Sequence, residues 1–179
     1  ICVILLHMNI FEVCFVNNFK RVRPEDISDN MFKLIAKDWV LITAGDKESY
    51  KMMTATWAGD GFLWRKNVCF VLIRASRYTF EFTEKNDAMS LCFFGNEYRD
   101  LLNFCGNYSG RDVNKMDCPV TPFALDDGAV AFEEARIIFD CEKISTANLR
   151  DFEFIDKSIL SDYTNGDFHK LYICEIKNA

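Results

Sequence analysis

Residues 67–82 read NVCFVLIRASRYTFEF, an unbroken apolar run from Val68 to Ile73 that stops at Arg74 and then changes character. Such a run, rich in β-branched and aromatic side chains, reads as a strand buried on both faces or lining a closed barrel, and so as a central strand. The following segment, 76–86, has helical spacing, with Tyr78, Phe82 and the charged residues on different faces. Upstream, WVLITAG (39–45) and YKMMTATWAG (50–59) read as two strands joined across DKES, a hairpin. Before them a short amphipathic helix opens at Pro24, with Ile27, Met31, Leu34 and Ile35 at helical spacing and Ser28 or Asp29 placed to cap it. Downstream, AMSLCFFG (88–95) is a strand, and 97–117 holds a helix ending near Cys105–Gly106, a Gly/Ser loop and a second short helix. VTPFALDD, AVAFEEARIIFDCEKIST and KLYICEIKN supply three or four closing strands. Strands outnumber helices and follow one another without strict β-α-β alternation. The expected fold is therefore mainly β, an antiparallel barrel with peripheral helices.

The composition narrows the function. A chain of 179 residues suits one domain, and 50% hydrophobic with 27% charged residues suits a packed globular one. A net charge of −6 argues against a nucleic-acid binder, although a local basic site fits within an acidic surface. The eight cysteines form no CxxC pair, so neither a zinc site nor a redox dithiol is expected, and most sit inside apolar runs as free thiols do in a reducing cytoplasm. The stretch ICVILLHMNIFEVCFV carries one charge, Glu12, is too short to span a bilayer comfortably and lacks the marks of a secretory signal. We read residues 1–17 as a hydrophobic extension of uncertain status, an extra strand, a peripheral arm or upstream sequence foreign to the domain, with the last two favoured, and 18–179 as the domain.

Three segments carry chemistry. At the strand end, Arg74, Ser76, Arg77 and Thr79 place cations, hydroxyls and backbone N–H groups at the positive pole of a helix, an anion cradle. The plainer alternative is a serine N-cap beside two exposed arginines. In MMTATWAGDGFLW (52–64), small and hydroxylated residues precede Gly59, Gly61 and two tryptophans. That pattern suits either a flat ligand lying against backbone or a tight hairpin flanked by aromatics. CGNYSGRD (105–112) offers Ser109, Gly110 and Arg111 as a second anion-binding loop, or is a helix end followed by an aspartate cap. His169 stands between NGD and a strand, where a histidine is either exposed or functional. No HExxH, P-loop, GxGxxG or nucleophile–base motif occurs. Cradle, small-residue strand and aromatic cover together suit a flat phosphorylated cofactor that brings its own chemistry.

These segments, in this order, resemble the flavin reductase-like family with the FMN-binding split barrel, particularly its flavoredoxin-like branch. The matching stretches are DNMFKLIAKDWVLITAGD, MTATWAGDGFLW, FVLIRASRYTFEF, CGNYSGRD, GAVAFEEARIIFDCEK and FHKLYICEI. The resemblance implies an antiparallel split β-barrel of Greek-key type, a homodimer, and FMN bound near the subunit interface. It puts Thr54, Ala55, Thr56 and Trp57 at the isoalloxazine ring and Arg74, Ser76, Arg77 and Thr79 at the phosphate. Ser109, Gly110 and Arg111 would lie in a nearby loop, and His169 near the flavin or nicotinamide as the candidate catalytic residue. NADH or NADPH would be the donor, and a flavin, a protein or a small molecule the acceptor. The alternative is a flavoredoxin-type carrier that uses no nicotinamide directly. The chain departs from the family at Lys51, where asparagine is common, at Ala58 and Asp60, where a second glycine and an apolar residue stand, at Asn67 for proline, and at Cys174 for glycine.

Overall fold

A computed structural model describes residues 15–16 and 18–179, so most of the hydrophobic extension expected over 1–17 lies outside the described residues. The elements are β1 (Phe15–Val16), β2 (Phe19–Lys20), α1 (Met31–Lys33), β3 (Val40–Asp46), β4 (Ser49–Ala55), β5 (Ala58–Leu63) and β6 (Lys66–Arg74). They continue with α2 (Tyr78–Lys85), β7 (Ala88–Phe93), α3 (Arg99–Asn107), β8 (Pro122–Ala124), β9 (Val130–Phe132), β10 (Ile137–Asn148) and β11 (His169–Asn178). Seven strands form one antiparallel sheet in the order β4-β3-β7-β10-β11-β6-β5. The chain leaves β6 through α2 and returns as β7, three strands away between β3 and β10, which gives the Greek-key character.

The sheet curls into a split barrel because alternate residues from both of its halves share one core. Val40 and Ile42 of β3, Met53 and Ala55 of β4, Cys69, Val71 and Ile73 of β6, Leu91 of β7, Cys141 of β10 and Tyr172 and Cys174 of β11 pack in a single buried cluster. The opposite faces of β3, β4 and β7 bury Leu41, Met52 and Cys92 under Leu101, Leu102 and Cys105 of α3 and Val130 and Phe132 of β9. Period-two alternation thus serves two cores, one inside the barrel and one beneath the outer layer.

Local chemistry explains the hairpins. In β3–β4, Asp46 Oδ1 accepts from the backbone N–H of Glu48 and Ser49, at 3.0 and 2.9 Å. Gly45, at φ +109°, approaches so closely that a Cβ there would meet the Ser49 carbonyl oxygen at 2.3 Å. The β5–β6 hairpin turns on Trp64 and Arg65, at φ 52° and 62°, a left-handed pair achieved without the Asn-Gly that such turns favour.

Two expectations need correction. The opening helix is broken: Pro24–Asp26 is a single 3-10 turn, Ile27 is extended, and α1 runs into a π-helical turn over Leu34–Asp38. Asn30, not Ser28 or Asp29, caps it by accepting from Lys33 N, while Asp29 pairs with Arg136. Leu34 and Ile35 still bury as helical spacing required. β6 is not central but next to the edge strand β5. Its inner residues Cys69, Val71 and Ile73 are core, and Phe70 and Leu72 are apolar because they wall a half-open face beside Gly59 and a cavity. Six described cysteines are free thiols, and five of them are buried. Among the described residues, no helix is long and apolar enough to cross a membrane.

Candidate functional site

Two adjoining cavities open where β4 ends, α2 begins and α3 ends. The larger, about 310 Å³, is walled by Thr54 and Ala55 at the end of β4 and Thr56 and Trp57 just beyond it, by Leu72 and Arg74 of β6, and by His169 at the start of β11. The smaller, about 240 Å³, is lined by Ser76 and Thr79 with Ser109, Gly110 and Lys115. Met53 and Arg77 line both. The end of α3 lies so close to β4 that a Cβ on Gly106 would come within 3.4 Å of Thr54 Cβ. The Thr54 hydroxyl is spent on that packing, donating to the Leu102 carbonyl at 2.6 Å.

Two cations, Arg77 and Lys115, and one carboxylate, Asp112, line the smaller cavity. Arg77 donates to the carbonyls of Gly106 and Cys105 at 2.7 and 3.3 Å, and Lys115 to those of Cys105 and Met52 at 2.7 and 3.2 Å. Lys115 is only 5% exposed, yet neither cation has a carboxylate partner among the described residues. Burial pushes both pKa values down, and Arg77 pushes Lys115 further in the same direction. Carbonyl dipoles solvate a cation without neutralising it, so the buried Lys115 and the half-buried Arg77 beside it leave positive charge for an anion to meet. Thr79, itself buried, lines the same cavity.

Arg74 and Ser76 stand differently from the sequence expectation. Ser76 precedes α2 and does not cap it; Arg77 holds the N-cap position, with no side-chain cap. The Ser76 hydroxyl and N–H donate to the two carboxylate oxygens of Asp167, at 2.6 and 3.3 Å. Arg74 donates to the Asp167 and Asp162 carbonyls at 3.0 and 3.3 Å and lies 3.9 Å from the Asp167 carboxylate. This half of the cradle already holds an anion of the chain's own. Arg111 lies outside both cavities: it pairs with Glu81, donates to the Ser76 carbonyl at 2.9 Å and covers the Tyr78 ring. It adds no free positive charge to the site, while its neighbours Ser109 and Gly110 do line the smaller cavity.

His169 is 8% exposed, and Nδ1 lies 3.0 Å from the Tyr163 hydroxyl. Its ring is 4.8 Å from that of Trp57. Burial first, then the Arg74 charge, lowers its pKa to about 4, so the ring is neutral at physiological pH. The departures at Asp60 and Cys174 fall away from the cavities. Both pair with Cys69, whose side chain lies in the barrel core, whereas Gly59 and Gly61 face Phe70 on the outer side. Lys51 packs over the rings of Tyr78 and Phe82, and Asn67 donates to Glu25. Sequence reading missed Lys115, Gly106 and Tyr163. Gly106 lies in CGNYSGRD but reads there only as a helix end, and no periodicity or motif marks Lys115 or Tyr163, which reach the site across distances that only folding closes.

The family described as flavin reductase like domain matches residues 32–179. No curated protein matches the sequence. Solved structures with a similar fold include the flavoredoxin of Methanosarcina acetivorans, at TM-score 0.61 and 20% identity, covering 78% of this chain and 66% of that one. The FMN-binding protein of Thermus thermophilus, solved with 1-cyclohex-2-enone, superposes at TM-score 0.62 and 20% identity over 87% of this chain and 76% of that one. An NADH:FAD oxidoreductase of Streptomyces globisporus superposes at TM-score 0.59 and 12% identity, over 78% and 72%. At these identities the likeness is one of fold.

Proposed function

The chain belongs to the flavin reductase-like family, and we propose that it is an FMN-dependent oxidoreductase whose two adjoining cavities take the flavin ring and its phosphate. The observation that carries this reading is the pair Arg77 and Lys115, one half-buried and one buried, both without carboxylate partners among the described residues, in a cavity that adjoins a second one walled by Leu72, Trp57 and His169. A phosphate between Arg77, Lys115, Thr79 and the Ser109–Gly110 loop would neutralise them. The ring would lie against the backbone of Thr54–Thr56, with Leu72, Trp57 and His169 around it. Bound FMN would supply the redox chemistry, accepting a hydride from NADH or NADPH and passing electrons to a flavin, a protein or a small molecule.

The chain's own residues bind, orient and shield. Arg77 and Lys115 hold the phosphate end by charge, and the open backbone after β4 offers hydrogen-bonding groups to the polar ring edge. Trp57 covers the ring cavity, and neutral His169 offers a hydrogen bond without adding charge. The exposed Phe62 and Trp64, 72% and 56% accessible, put apolar surface at the turn end of the β5–β6 hairpin. That surface supports assembly as a homodimer.

The test is a flavin titration of the purified protein. FMN should quench or shift in absorbance and raise the melting temperature, and NADH or NADPH should then bleach the bound flavin in a stopped-flow trace. Protein that leaves the FMN spectrum and its own melting temperature unchanged refutes the reading. Bound flavin that neither nucleotide bleaches, but a reduced protein partner does, makes it an electron carrier instead.

A further inference from the structure

The ring cavity has one polar side chain whose hydrogen-bonding direction is decided from outside it. His169 faces the cavity beside Leu72 and Arg74, and its Nδ1 is 3.0 Å from the hydroxyl of Tyr163, a residue on a different segment. Tyr163 is 5% exposed, stacks on Phe168 at 4.4 Å with the rings 5° from parallel, and meets the His169 ring edge-on at 5.6 Å. Its hydroxyl has no other partner among the described residues.

Two tautomers of the imidazole are open in principle, and hydrogen-bond satisfaction separates them. If Nδ1 carried the proton and donated to Tyr163, the buried phenol hydrogen would be left without an acceptor, at the usual cost of an unpaired buried donor. If Tyr163 donates to Nδ1, both groups are satisfied and the imidazole proton resides on Nε2. Burial raises the Tyr163 pKa, which keeps the phenol protonated and able to donate. The charged groups around the ring are Arg74 on β6 and Asp162 and Asp167 on the segment before β11. The Asp167 carboxylate is taken by Ser76, no hydrogen bond joins either aspartate to the His169 ring, and burial with the Arg74 charge outweighs their pull.

We propose that Tyr163 is a positioning residue that fixes His169 as the neutral Nε2–H tautomer, making it a hydrogen-bond donor for a carbonyl or other acceptor on a planar ring ligand in the cavity. His169 then binds by donating, and it neither delivers a proton nor adds a charge at neutral pH. The inference rests on the proposed flavin site for the ligand, but the tautomer is a property of the protein alone.

The experiment separates the two. In a His7→Gln background His169 is the sole imidazole, and a long-range proton–nitrogen correlation spectrum of the flavin-free protein reads its tautomer directly. The expected spectrum shows protonated Nε2, bare Nδ1 and no titration between pH 5 and 8. Tyr163→Phe should give a tautomer mixture and a titration moved towards the ordinary histidine range, while a flavin titration of that variant shows FMN and riboflavin weakened by the same factor, about tenfold, the loss of one hydrogen bond of about 1.4 kcal/mol. A wild-type spectrum with protonated Nδ1, or a Tyr163→Phe spectrum identical to wild type, overturns the proposal. If no flavin binds at all, the spectra still decide the tautomer, and the failure belongs to the cofactor reading.

Discussion

Lys115→Met is the sharpest perturbation of the phosphate cavity, because it removes a charge while keeping most of the side-chain volume. In the flavin-free protein two effects oppose each other. The buried ammonium, with only the Cys105 and Met52 carbonyls for partners, carries an uncompensated desolvation cost whose removal stabilises the fold. Against it, those carbonyls lose a donor, although Cys105 O keeps its hydrogen bond from Arg77. Each effect is of the order of 1–3 kcal/mol, so the melting temperature should move little. Binding should change far more. A charge-assisted hydrogen bond to phosphate contributes about 1.5–3 kcal/mol, which is about a ten- to hundredfold weaker dissociation constant for FMN. Riboflavin has no phosphate and should bind the variant as it binds the parent. The assay is a fluorescence or calorimetric titration with both flavins at fixed ionic strength, beside a thermal melt. Equal losses for the two flavins, or FMN binding as tight as in the parent, would show that the phosphate lies elsewhere.

Other consequences can be checked independently. Asp167→Ala should free Ser76 and Arg74 and loosen the 149–168 segment they anchor, costing about 1–2 kcal/mol in a urea melt and exposing that segment to limited proteolysis. Unchanged cleavage would mean the anchor holds nothing. The double substitution Trp64→Asn with Arg65→Gly should raise the denaturation midpoint by about 1–2 kcal/mol in free energy, since both positions sit at positive φ in a two-residue hairpin turn. A lower midpoint would show that the Trp64 side chain contributes more through packing than its backbone costs. Burial, reinforced by Asp127 and Asp126, raises the Asp140 pKa from 3.8 to about 6, and its Oδ1 has no hydrogen-bond partner. A raised folded-state pKa favours folding fully below pH 3.8, and that contribution disappears as pH rises through about 6. Asp140→Asn should therefore melt close to the parent at pH 4 and above it at pH 8. A melting-temperature difference that does not grow with pH removes the buried-carboxylate explanation.

The barrel was legible because strand periodicity is local. WVLITAG, YKMMTATWAG, NVCFVLIRA and AMSLCFFG each became strands within a residue or a few of their expected ends, apart from the 50–59 run, which splits into β4 and β5. The opening helix was misjudged because Ile27, Met31, Leu34 and Ile35 bury whether the segment is one helix or three short turns, so burial periodicity did not fix the backbone between them. β6 looked central because both of its faces are apolar, and sequence does not separate a face covered by protein from one that walls a cavity.

Chain-local chemistry determined that this is an antiparallel β protein with a cluster of arginines, hydroxyls and small residues suited to a phosphorylated planar ligand. Tertiary structure alone decided which of those groups remain free. Asp167, about ninety residues beyond Ser76, answers Ser76 and lies close to Arg74, and Glu81 answers Arg111, while Lys115 comes in from a separate turn to join Arg77. A cation's availability depends on the nearest opposite charge in space. Strand order brings residues far apart in the chain to hydrogen-bonding distance, and no local pattern encodes that pairing.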